Sequence, residues 1–115
     1  MSTNVVRLVA PRCLGESALQ LASNLVDAFH ASVAARRDRP FLWRKSDGAY
    51  HPMRWAEVEA AMTRLARALR DMGIRPGDRL VICAENRPEW FIADLAALTV
   101  GAVTGSVVNR LGWVQ

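Results

Sequence analysis

The chain has 115 residues and a formal net charge of +4, with 51% hydrophobic and 23% charged residues. That is the composition of a folded chain and excludes intrinsic disorder; the length suits one small domain or one piece of a larger one. Lys45 is the only lysine, so any chemistry here that needs a lysine has one candidate.

Residues 1–23 read as a mobile N-terminal arm. Met1 to Gly15 shows no clear period, Val5–Val9 fits a short strand, and Glu16–Ser23 fits a helical turn. Asn24 predicts the start of a helix that runs through Arg36. Its side chain caps free amides, and Asp27 suits the positive end. Leu25, Phe29 and Val33 form one apolar stripe, and Pro40 stops the helix. Phe41–Arg44 and Tyr50–Met53 flank Ser46-Asp47-Gly48, a hairpin signal. Pro52 makes the second strand short or an edge.

The strongest periodicity follows. Val58, Met62, Leu65, Leu69 and Met72 fall on one helical face, and Gly73 stands as the C-terminal cap. The N-terminal cap is poor: Arg54 stands where Ser or Thr would pair with Glu57. Pro76-Gly77-Asp78 predicts a turn. Leu80–Ala84 is a continuous apolar run that suits a strand covered on both faces, with Cys83 a buried small hydrophobe. Asn86 then caps a helix with Pro88 in its first turn and Glu89 completing the pattern; Phe91, Leu95 and Leu98 face one way. Gly101 ends it, and Ala102-Val103-Thr104 enters another strand. Strand, helix, strand in this order predicts a βαβ crossover, right-handed, in a parallel sheet.

The basic balance invites nucleic acid as a partner. The arginines are spread along the chain, however, and no aromatic residues alternate with them to stack on bases, so no nucleic-acid binding is expected. Residues 90–108 are long and mostly apolar, but Asp94 would cost about 2.5–3.5 kcal/mol near a bilayer centre. No membrane span is expected; peripheral membrane contact stays open. Gly101 and Gly105 make a GxxxG spacing of little weight outside a span. Cys13 and Cys83 form no CxxC pattern, and the N-terminus carries no signal-length apolar run, so a cytoplasmic location is the default. His30 and His51 form no cluster with the cysteines.

From Asn24 to Thr104 the sequence resembles the N-terminal part of AMP-forming acyl-CoA synthetases, within the adenylate-forming ligase superfamily. Four blocks carry the resemblance: Tyr50–Val58 (YHPMRWAEV), Leu65–Leu69, Gly73–Val81 (GIRPGDRLV) and Asn86-Arg87-Pro88-Glu89-Trp90. Gly101–Thr104 matches the strand that follows, and the Asn-Arg-Pro-Glu-Trp block looks most like the long-chain fatty-acid branch. Arg54 departs from the usual Thr. The implied fold is α/β: the N-terminal portion of a ligase N-domain, with a hairpin, an amphipathic helix and a βαβ crossover in an incomplete sheet. The implied organisation is an arm at 1–23, a partial AMP-binding domain at 24–104 and a divergent tail at 105–115.

The resemblance also implies a reaction. Such ligases activate a carboxylate with ATP to an acyl-adenylate and pass the acyl group to CoA. They use Mg²⁺, a Ser/Thr/Gly-rich phosphate loop ending in Lys-Gly and a lysine from a mobile C-terminal subdomain. None of these motifs falls in this sequence, so no catalytic, cofactor-binding or metal residue is carried over, and no cofactor is expected on this chain. A truncated or frameshifted ligase frame, inactive alone, is the expectation. Two readings stay beside it: a stand-alone module that self-associates or binds a full-length ligase through exposed apolar faces, and a basic nucleic-acid binder.

Overall fold

A computed structural model describes residues 23–107. The expected arm, the Val5–Val9 strand, Cys13 and all but the first three residues of the 105–115 tail lie outside the described residues.

Helix α1 spans Leu25–Arg36 and begins as its sequence dictates. The Asp27 amide donates to Asn24 Oδ1 at 2.9 Å, and Asn24 Nδ2 donates back to the Asp27 carboxylate at 3.0 Å. Phe29 and Val33 are buried, whereas Leu25, at the start of the expected stripe, is half exposed. Strands β1 (Pro40–Ser46) and β2 (Ala49–Arg54) form an antiparallel hairpin. Its two-residue loop is Asp47-Gly48, both at positive φ (51° and 77°), the backbone that matches the twist of the strands. A register shift between Pro40 and Leu42 breaks the alternation, so adjacent Phe41 and Leu42 both pack on the core.

Helix α2, Trp55–Asp71, follows without a gap. Half of the capping arrangement is made: the Arg54 amide donates to Glu57 Oε2 at 2.7 Å. The guanidinium of Arg54 has no acceptor to offer in return. At the other end Gly73 sits at φ 96°, the Ile74 amide reaches Leu69 O, and the Gly73 amide reaches Arg70 O, both at 3.0 Å. That is the double bond of a Schellman stop. A tight turn at Pro76-Gly77-Asp78 leads into β3, Arg79–Cys83.

Helix α3 spans Pro88–Thr99. Its N-cap is Arg87, with no side-chain hydrogen bond, and not the expected Asn86. The reason is local: the residue before a proline is held extended, so with Pro88 as the first helical residue the cap moves to Arg87. Ile92, Leu95, Ala96 and Ala97 are its buried residues, while Phe91 and Leu98 from the expected stripe are only partly covered. A second Schellman stop at Gly101, with the Ala102 amide on Ala97 O at 3.0 Å, turns the chain into β4, Val103–Val107. Strands β3 and β4 pair in parallel, Arg79 with Val103 through Cys83 with Val107, closing the expected βαβ unit.

One core joins these parts. Met62, Leu95, Val33 and Val58 are its most enclosed large side chains; burying each stabilises by about 1.5–3 kcal/mol. An aromatic cluster roots the hairpin in it: Phe41 stacks on Trp55 at 3.6 Å between ring centres and meets Phe91 edge-on at 5.3 Å.

Candidate functional site

The parallel pair has two unlike faces. On the inner face, Leu80 packs on the core, Thr104 Oγ1 donates to Asp94 Oδ1 at 2.7 Å, and Trp90 Nε1 donates to Ser106 Oγ at 3.3 Å. These bonds fasten β4 to α3, the first of them through the part-buried Asp94 carboxylate. The outer face carries Val81, Cys83, Val103, Gly105 and Val107. Val81 is 68% exposed, Val103 60% and Val107 52%. Cys83 is exposed as well.

This corrects two sequence expectations: β3 is covered on one face and not on both, and Cys83 is not buried. The unbroken apolar run is real, but among the described residues only α3 covers the sheet, and one helix shields one side. Parallel sheets are stable with both faces covered. A cluster of valines on an open sheet is a surface shaped for a further layer.

The remaining chemistry-bearing residues are scattered. His30 Nδ1 lies 2.7 Å from Glu59 Oε1 and ties α1 to α2, far in sequence from His51 on exposed β2. Lys45 sits on the hairpin with its ammonium 5.8 Å from the centre of the Tyr50 ring. Arg44 pairs with Glu89, bridging β1 to the first turn of α3. A cleft opens between β1 and the β3–α3 connection, edged by Trp43, Lys45, Tyr50, Asn86 and Arg87.

No three His, Cys, Asp or Glu side chains converge among the described residues. The carboxylates of Glu59, Glu89 and Asp94 are engaged by His30, Arg44 and Thr104, and that of Asp78 by the Arg75 amide. No helix among the described residues is long and apolar enough to cross a membrane. Sequence reasoning missed the Asp94–Thr104 tie. Its only signal was a charged residue inside an otherwise apolar helix ten positions before a strand threonine.

Comparison with known proteins places this architecture. The model of the AMP-binding enzyme family matches residues 29–112. The chain is 32% identical to acetoacetyl-coenzyme A synthetase of Rhizobium meliloti (strain 1021) over 92% of its own length and 15% of that protein's. It is 39% identical to the long-chain-fatty-acid–CoA ligase FadD15 of Mycobacterium tuberculosis over 74% of its own length and 16% of that protein's. In fold it resembles the crystal structure of a fatty acid AMP ligase from Legionella pneumophila (TM-score 0.76, 18% identity), covering 86% of this chain and 17% of that one. The chain thus spans about one-sixth of the length of the two curated relatives. With the family model covering most of its length, and the hairpin, amphipathic helix and βαβ unit in the order the resemblance implied, the chain belongs to the AMP-binding enzyme family and is related to the acyl-CoA ligases.

Proposed function

We propose that this chain is the opening layer of an adenylate-forming ligase of the long-chain fatty-acid type, and that it serves as scaffold. The ligase it belongs to would activate a fatty acid with ATP to an acyl-adenylate, release pyrophosphate, and transfer the acyl group to CoA. Support for the substrate class is the similarity to a long-chain-fatty-acid–CoA ligase. Support for the scaffold role is one observation: the bare valine face of β3 and β4, opposite a face locked to α3 by two side-chain hydrogen bonds. A strand pair fastened to a helix on one side and apolar on the other supplies two layers of a three-layer arrangement. The nucleotide, the metal ion and the catalytic lysine would then be held by residues beyond this layer.

The test is fatty-acid-dependent ATP–pyrophosphate exchange, run on two proteins. The chain alone is expected to give no exchange. A chimera of FadD15 in which residues 29–112 of this chain replace the matching stretch is expected to retain it. Exchange by the chain alone would overturn the scaffold role, and a folded but inactive chimera would overturn the assignment of this scaffold to the long-chain fatty-acid ligases.

A further inference from the structure

We draw no further inference here: the strongest candidate, the cleft between β1 and the β3–α3 connection, sets the cations of Lys45 and Arg87 beside the carboxylate of Glu85 with every charged side chain of its lining exposed, so nothing in the structure selects what would occupy it.

Discussion

The hairpin and the parallel pair each consist of two strands, yet among the described residues only one of them has the cover it needs. The hairpin is closed by two residues, Asp47-Gly48, and its core-facing Leu42 and Met53 pack beside Phe41 and Trp55. An antiparallel pair needs one covered face. The parallel pair requires a whole helix, α3, to return the chain to β4. Its inner face is then fixed by Asp94 and Trp90, and its outer face stays bare. The contrast shows what local sequence can and cannot finish: a turn and its flanking residues close a hairpin, whereas a parallel pair calls for cover from elements far away in sequence.

Substitutions can break this contrast at different points. The largest effect is expected from Leu95→Ala, which opens a cavity in the core shared by both sheets. It should cost about 2–5 kcal/mol in urea unfolding. Amide exchange should quicken in the hairpin and the parallel pair alike; protection lost in only one of them would show two separate cores. Gly101→Ala targets the parallel pair alone. Gly101 sits at φ 82°, and an added Cβ would stand 3.1 Å from Pro76 Cβ. The expected cost is about 1–3 kcal/mol, with faster exchange in β4 and none gained in β2. Thr104→Val removes the hydrogen bond to Asp94 and leaves a part-buried carboxylate without that partner, costing about 1–3 kcal/mol. Gly48→Ala acts on the hairpin only, by about 1 kcal/mol, because the turn holds that residue at φ 77°. The smallest effect is a gain: Arg54→Thr supplies the missing acceptor at the start of α2 and should stabilise by about 0.5–1 kcal/mol.

Much of this fold was legible in the residues themselves. Asn24 with Asp27, Asp47-Gly48, Gly73 and Gly101 each act over a few positions, and each boundary falls where its chemistry places it. The start of α3 was misplaced by one residue, because the extended backbone that Pro88 imposes on Arg87 outweighs the capping preference of Asn86. The openness of the sheet was hidden for another reason. Leu80–Cys83 is apolar throughout, and such a run is the same whether or not the second face has found its cover. Burial of Val81 and Cys83 depends on what packs against them, which the strand cannot encode. The Asp94–Thr104 tie joins residues whose pairing follows only from the parallel register.

The valine face offers the most direct test of the account. Val81→Ser, Val103→Ser and Val107→Ser would be combined and placed both in the isolated chain and in the FadD15 chimera. If the face awaits a further layer, the isolated chain should unfold in urea within about 0.5 kcal/mol of the parent, as surface changes do. In the chimera, three polar groups would be forced beneath that layer, and fatty-acid-dependent ATP–pyrophosphate exchange should be lost together with cooperative unfolding. Full exchange in the triple-serine chimera, or collapse of the isolated chain, would contradict the reading of β3 and β4 as a sheet built to be covered.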